Sequence, residues 1–497
     1  MFFQFGDEMK NIESILREGA MSEANRKQII QIETSEWRSS EKHKWMEVGE
    51  RYYRTKSDIL DRQRTAIGAS GAKEVVGNLA NNKLANAFIR KLVNQKVGYL
   101  LGKPLSIQTE NESYQELLTI FFDEDMHRRL KSLGKEAVNK GIAWMHVYYD
   151  EAGTLRFKKM RSEEIIPLWV DEAHTILDAV IRDYEVIVYE GLQRKTLRKI
   201  EWWDTKGVRR YVFDGSELVA DAEVGDEGAH FSMVDSDREQ LMNWERVPFV
   251  AWKYNEEEQP LVEIIKSLVD DYDRNKSDNS NNLEDLPESI YKVKNFSGTD
   301  AAEFRKNLAL FRTAFVDGDG DVDALALAIN VETYKTHMEQ ARKDIYEFGC
   351  GVDTQGVEIG SAPSGIALRF LYSDLDLDAN LMETEFQASL AQLRWFIDAH
   401  LYNTTKVDYI NEKVEFTFNR DMPIDEESII SGIKDSVGIL SDETLVAQHP
   451  WVRDVRAELD RIKKQKEEAL HRTSTAYGGL GNGGDPNDGE GDEQEGE

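Results

Sequence analysis

The chain has 497 residues, 40% of them hydrophobic and 10% aromatic, which is enough apolar material for about three domains. Its 93 acidic residues outnumber 62 basic ones and leave a formal charge of −31. That excludes broad gripping of nucleic acid by cations, but not a repelling wall past which nucleic acid slides. One cysteine, Cys350, excludes an intramolecular disulfide framework and fits a reducing compartment. The start MFFQFGDEMKNIESIL carries acids where a signal peptide needs a basic and then an apolar stretch. No apolar run approaches the ~18 residues of a membrane span. A soluble cytoplasmic product is expected.

Met21–Lys44 reads as a polar helix. Leu79–Leu101 reads as a strong one, with Leu84, Phe88, Ile89, Leu92, Val93 and Val97 on one broad stripe before Gly102 and Pro104. Helix is expected again from Tyr114 to Lys140. The period then shortens. Ile142–Tyr149, Thr154–Lys159, Ile165–Val170, Ala179–Tyr189, Thr196–Trp203 and Val208–Phe213 form a β-rich meander that Val247–Trp252 closes.

Pro260 suits the first turn of a long helix. Its apolar face (Leu261, Ile264, Ile265, Leu268, Val269, Tyr272) gives way to the almost wholly polar DRNKSDNSNNLED, so its end is expected to protrude or to meet a repeat of itself. Glu288–Val331 reads as a small α/β insert. It comprises strand Ser289–Phe296, helix Asp300–Arg312 behind Thr299, strand Ala314–Val316, a tight turn in DGDGDVD, and strand Val322–Val331.

A helix from Val331 repeats Tyr334, Met338, Ala341, Ile345 and Phe348 on one face, and another carries Leu375, Met382, Phe386, Leu390, Leu393 and Ile397. Between them lies FGCGVDTQGVEIGSAPSGIALRF, punctuated by five glycines and Pro363. Long loops of this kind in compact proteins are commonly functional. Val414–Phe418 reads as a lone strand, and Glu426–Val437, Asp442–Gln448 and Val452–Leu470 as a helical cluster with Ser441 as a cap. From Thr473 the chain loses apolar content and is expected to be disordered.

Enzyme motifs fail one by one. No phosphate loop occurs. Gly479, Gly481 and Gly484 match a dinucleotide spacing with neither strand nor helix around them. DGDGDVDALALA has Val322 where a calcium loop needs glycine and Ala328 where it needs a bidentate Glu. The nine histidines are scattered, and GSAPSG is no nucleophile elbow. The chain is therefore expected to be non-enzymatic, with no cofactor and no metal.

The segments NNKLANAFIRKLVNQKVGYLLGKPLSI, PLVEIIKSLVDDYDRNKSDNSNNLEDLPESIYKVKNF, SAPSGIALRF and GILSDETLVAQHPWVRDVRAELDRI resemble, in order, the signatures of tailed-bacteriophage portal proteins of the siphophage class. The resemblance covers roughly residues 25–470. It implies an α+β, portal-like multi-domain subunit: an N-terminal segment (1–24), an α/β wing (25–255), a stem helix (256–285) and a small α/β clip (286–331). A second stem helix (332–349), a tunnel loop (350–366), a long tunnel helix with return to the wing (367–424), a helical crown (425–470) and an acidic tail (471–497) follow.

The implied function is a ring of about twelve subunits, closed by one repeated interface, at the unique capsid vertex. Such a ring nucleates procapsid assembly, docks terminase and head-completion or tail adaptors, meets major capsid and scaffolding proteins, and passes double-stranded DNA. The implied location is the virion, after assembly in the host cytoplasm, without a membrane. Asp353, Gln355, Gly356, Val357, Glu358, Ile359 and Gly360 are the collar candidates in the loop. No base lies between Gly349 and Leu368, so a steric collar is expected rather than electrostatic grip. Lys335, Arg342 and Lys343 are channel-lining candidates, and Lys292, Lys294, Arg305, Lys306 and Arg312 are clip residues for an acidic partner. The alternative is a multi-domain adaptor or scaffold without DNA passage.

Overall fold

The computed structural model describes residues 22–67, 71–75, 80–215, 217–223, 225–235, 238–284, 289–296, 304, 316–326, 331–355, 370–420, 426–449, 451–452 and 455–478. The chain divides into two units, Met1–Val357 with Tyr372–Asp421, and Glu358–Leu371 with Met422–Glu497, and helices and sheets mix in the first.

The larger unit opens with α1 (Glu23–Ser39) and α2 (Glu41–Tyr53) where the sequence reads one helix through Lys44. Ser40 makes the break. Its backbone is extended, its Oγ accepts from His43 N at 3.1 Å, and it donates to Trp37 O at 2.7 Å, so one residue caps both helices. A small ribbon, β1 (Thr65–Ile67) with β2 (Lys73–Val75), follows. Next come α3 (Phe88–Leu101), β3 (Ser106–Thr109), α4 (Glu112–Phe121) and α5 (Glu124–Lys140).

The meander comprises β4 (Ile142–Tyr149), β5 (Leu155–Met160), β6 (Ile165–Trp169), β7 (Leu177–Glu190), β8 (Gln193–Asp204), β9 (Gly207–Asp214), β10 (Glu217–Ala220), β11 (Glu227–Gly228), β12 (Phe231–Asp235), β13 (Arg238–Met242) and β14 (Phe249–Lys253). Four strands, β10 to β13, lie between the expected runs Val208–Phe213 and Val247–Trp252. The order β10-β9-β8-β7-β6, with β11 also on β9, makes one antiparallel sheet; β14-β4-β5 makes a second. Ile30 of α1 packs with Ile166, Ile181, Trp202 and Tyr211 on the first sheet, and Met46 of α2 packs with Trp144, Val180 and Phe249. Each such side chain contributes about 1.5–3 kcal/mol when fully buried.

Helix α6 (Leu261–Glu284), the ribbon β15 (Ser289–Phe296) with β16 (Val316–Ala326), α7 (Val331–Phe348), α8 (Ser373–Thr405) and β17 (Val414–Thr417) complete this unit. The smaller unit holds α9 (Glu426–Asp435), α10 (Asp442–Ala447) and α11 (Val455–Gly478). Ser441 caps α10 as expected, accepting from Thr444 N at 3.2 Å.

Five expectations are corrected here. Helix α3 begins at Phe88, not Leu79, and before it the alternate N–H groups of residues 82, 84 and 86 meet α6 as those of an extended stretch do. The polar end of α6 does not stand free: Asp273, Ser277 and Asn281, one turn apart, are buried against that extended segment. They accept from Asn86 N at 3.0 Å, Leu84 N at 2.9 Å and Asn82 N at 2.5 Å. The DGDG run is no hairpin turn. It lies inside β16, where the register jumps between Lys294–Asp321 and Phe296–Val316 and Gly318 takes a φ of +55°. Strand β17 is not alone, because Val414–Thr417 pairs antiparallel with β3. Helix α11 continues to Gly478, past the predicted loss of order at Thr473.

One core histidine gives the fold a pH signature. His146 retains a partly exposed edge, but its ring packs against Tyr148, Trp203 and Phe249. Burial, then repulsion from Arg182, Lys158 and His230, holds its pKa down at about 3 against an ordinary 6.5. A histidine kept neutral in the folded state stabilises above its unfolded pKa, and that contribution is lost as pH falls from 6.5 toward 3. The urea-unfolding free energy of the wild type is therefore expected to fall more steeply in this window than that of His146→Phe, by up to about 1.4 kcal/mol per pH unit. Parallel curves for the two proteins would show that His146 titrates normally.

Candidate functional site

The glycine-rich segment leaves α7 through a tightly built exit. Cys350 N–H donates to Glu347 O at 3.1 Å and Gly351 N–H to Tyr346 O at 2.8 Å, the paired bonds that close a helix around a left-handed residue. That residue is Cys350, with φ of +47°. Leu92 of α3 fills the space beside both flanking glycines. A Cβ on Gly349 would lie 2.8 Å from Leu92 Cδ1, and one on Gly351 would collide with Leu92 Cδ2.

Helix α3 then clamps the start of the loop. Gln95 bonds Val352 reciprocally, donating to its carbonyl at 3.1 Å and accepting from its N–H at 3.0 Å. Lys96, with a side chain only 2% exposed, pairs with Asp378 of α8 at 2.8 Å and donates to Cys350 O at 3.3 Å. Tyr254 OH donates to the same Asp378 carboxylate at 2.6 Å. Burial and then that carboxylate push the Tyr254 phenol well above its usual range, so it stays a donor.

One turn along, Tyr99 donates to Asp376 at 2.7 Å, and Arg420 pairs with Asp376 and with Glu383 at 2.7 Å. Tyr99 also stacks on Tyr372, ring centres 6.0 Å apart. Both ends of the loop that lie in this unit are thus tied to the same face of α3.

The loop's first acid is tied to α7. Arg342 grips Asp353 with two bonds of 2.6 and 2.7 Å, and this partner holds the Asp353 carboxyl below its usual range. Gln355 N–H donates to Asp353 at 3.1 Å. Burial pushes the Cys350 thiol up, which suits packing and not nucleophilic chemistry. Among the described residues no cluster of His, Cys, Asp or Glu could hold a metal. Also among them, no helix is long and apolar enough to cross a membrane. The arrangement can fix a loop root in place; it offers no nucleophile paired to a base.

Of the residues singled out in the sequence, Asp353 and Gln355 lie at this root, and Gly356, Val357, Glu358, Ile359 and Gly360 lie outside the described residues. Arg342 is committed to Asp353. Lys343 is exposed, and so is Lys335, which sits 3.8 Å from Glu339. Lys292 and Lys294 are both exposed on β15, yet each faces an acid across the ribbon, Asp323 and Asp321 respectively. Opposite charges at such positions interact locally. Arg305, Lys306 and Arg312 fall outside the described residues.

Gln95, Lys96, Tyr254 and Asp378 escaped sequence reasoning. A signal existed for Lys96, which interrupts the apolar stripe between Leu92 and Leu100 and so marks a buried cation in need of a partner. None existed for Tyr254 or Asp378, which are distant in the chain.

Comparison with known proteins agrees with the order of segments. Residues 36–471 match the family model described as phage portal protein, SPP1 Gp6-like. The portal protein of Bacillus phage SPP1 is 31% identical over 435 residues, covering 87% of this chain and 85% of that protein. The portal protein of Clostridium phage phiCD119 is 30% identical over 442 residues, 86% and 93% of the two chains. Among solved structures, the neck of a native GTA particle computed with C12 symmetry aligns at a TM-score of 0.39 and 12% identity, over 74% of this chain and 90% of that one. The neck of an empty GTA particle computed with C6 symmetry aligns at 0.41 and 12%, over 72% and 88%.

Proposed function

We propose a conduit role for this chain, which belongs to the SPP1 Gp6-like family of phage portal proteins. Subunits close into a ring at one capsid vertex; double-stranded DNA enters and leaves through its axis, and no catalysis is required of the chain itself. Terminase and then head-completion or tail adaptors dock on the ring, which also nucleates the procapsid with capsid and scaffolding proteins. In this reading 25–255 is the wing, α6 and α7 are the stem, the β15–β16 ribbon belongs to the clip, α8 is the tunnel helix and α9–α11 the crown.

The observation that carries the reading is the family match across residues 36–471. The loop root adds mechanical sense. A segment meant to bear on moving DNA needs a fixed base, and Gln95, Lys96 and Arg342 supply one by holding Val352, Cys350 and Asp353. Beyond that base the glycines give backbone freedom. Arg342 works in this scheme as an anchor of the loop, leaving Lys335 and Lys343 as the exposed cations of α7.

The test uses the purified full chain. Particle images should show rings with an axial hole, as closed cyclic symmetry requires, and the mass should correspond to about twelve subunits, the number that the family resemblance implies. Gly356→Val with Gly360→Val should leave rings intact and reduce the yield of nuclease-protected DNA in an in vitro packaging reaction. A monomer at high micromolar concentration would sink the conduit, and full-length protected DNA at wild-type yield from the double variant would sink the collar.

A further inference from the structure

The hairpin of β7 and β8 outruns the sheet it belongs to. Strand β6 pairs with β7 only from Leu177 to Arg182, and β9 pairs with β8 only from Lys199 to Asp204. Beyond them β7 and β8 pair with each other alone, as far as Glu190 with Gln193. From Asp183 to Glu190 this arm spans roughly 24 Å. One of its faces, with Val186 opposite Leu197, is half-buried. The other has Ile187 opposite Thr196 and Tyr189 opposite Arg194, and Leu192 lies in the turn. Ile187 and Tyr189 are 52% and 70% exposed, and Leu192 is fully exposed. An isolated two-stranded ribbon is marginal in water and gains support by packing on a helix.

Helix α8 carries a matching face. Its buried stripe packs inside the unit, but Leu377 and Leu381, one turn apart on its outer side, are 65% and 62% exposed. Glu385 continues that row by one more turn. Burial raises the Glu385 carboxyl; Lys253 works against this, and Glu256, Glu258 and Glu257 add to it. Among the described residues Glu256, Glu257 and Glu385 make no ion pair, and neither does Arg194 on the arm. The spacing fits as well as the charge. Ile187 and Tyr189 lie about 6.7 Å apart along a strand, and Leu377 and Leu381 about 6.0 Å apart along a helix. The molecule already uses this match where residues 82, 84 and 86 run along α6.

We propose that the arm of one copy lies along the outer face of α8 in the next copy. Ile187 and Tyr189 cover Leu377 and Leu381, and Arg194, beside Tyr189, reaches the carboxylates around Glu385. The occupant is a second copy because one chain offers both halves of the contact, apolar pairs of nearly equal pitch and unpaired charges of opposite sign. Within one copy the two surfaces do not meet, since both stand exposed. They lie on different elements, so the contact runs head to tail. Repeated from copy to copy, such a contact closes a ring. The proposal rests on the ring reading above and names a pair of surfaces that would close it.

Two measurements on the full chain test it. A chain with a photoreactive benzophenone amino acid in place of Tyr189 is mixed, before assembly, with ¹⁵N-labelled wild type. It should link to residues 374–388 of the labelled copy. Links to another part of that copy, or only within the copy that carries the probe, would overturn the proposal. Tyr189→Asp with Arg194→Glu should raise the protein concentration needed for half assembly by about tenfold or more, as the loss of one buried apolar side chain would. Leu381→Asp on α8 should raise it by a similar factor. All three changes combined should add little further, because they remove one contact. If the arm variant loses its melting transition, Leu381→Asp decides alone. An unchanged assembly curve in folded variants would overturn the contact while leaving the ring reading intact. A wild type that never assembles would overturn the ring reading and this contact with it.

Discussion

Lys96→Met is expected to destabilise the larger unit by about 3–5 kcal/mol, the cost of leaving a buried charge without its partner. Among the described residues, Asp378 would retain only Tyr254 as a side-chain donor, and Cys350 O would lose its bond from the ammonium. Urea unfolding followed by tryptophan fluorescence measures the loss. Lys96→Met combined with Asp378→Leu should be markedly less unstable than the single variant, because an apolar pair of similar volume can replace a buried ion pair at little cost. A single variant within about 1 kcal/mol of wild type would show that the Lys96–Asp378 pair does not hold the loop root. Within the proposed function the same change has a mechanical consequence. The root of the glycine loop loosens, so packaging should fail at temperatures where the fold still survives.

That clamp also marks the limit of what the sequence discloses. The long helices α6, α7 and α8 were legible because their apolar residues recur at helical spacing, and Leu375, Met382, Phe386, Leu390, Leu393 and Ile397 are indeed buried on one face of α8. The α+β class and the family were legible from short segments in a fixed order. Lys96 was legible as an anomaly, a cation on an apolar stripe, but its partner lies 282 positions away and no local pattern points to it.

The errors have the same origin. Residues 80–87 carry good helix formers and an apolar stripe, and only the side chains of a helix nearly 200 positions later reveal why they stay extended. The DGDG run has strong turn chemistry, yet pairing along the whole of β15 absorbs it as an irregularity. Ser40 broke a helix that composition alone would continue, through two hydrogen bonds of its own hydroxyl. Local preference decided the outcome wherever packing was indifferent to it.

The extended segment 80–87 carries the second large effect. Along a strand, alternate residues are about 6.7 Å apart; along a helix, residues i and i+4 are about 6.0 Å apart. The near match lets Asn82, Leu84 and Asn86 present their N–H groups to Asn281, Ser277 and Asp273 in turn. Asp273 is the hub. It is fully buried, it accepts from both the backbone and the Nδ2 of Asn86, and its second oxygen accepts from Ser57 Oγ at 2.7 Å.

Asp273→Ala strands three donors at once. The loss should be about 2–4 kcal/mol, since one buried unpaired donor costs about 1–3 kcal/mol and the segment can lean toward water to recover the others. Asp273→Asn should lose clearly less. The amide oxygen still accepts from Asn86, its nitrogen can donate to Ser57, and the buried charge, whose pKa burial raises, is gone. Hydrogen exchange gives the local readout: the amides of Asn82, Leu84 and Asn86 should lose protection in the alanine variant while those of α8 keep theirs. Equal stability for alanine and asparagine variants would mean that the acceptor oxygens do not hold the segment.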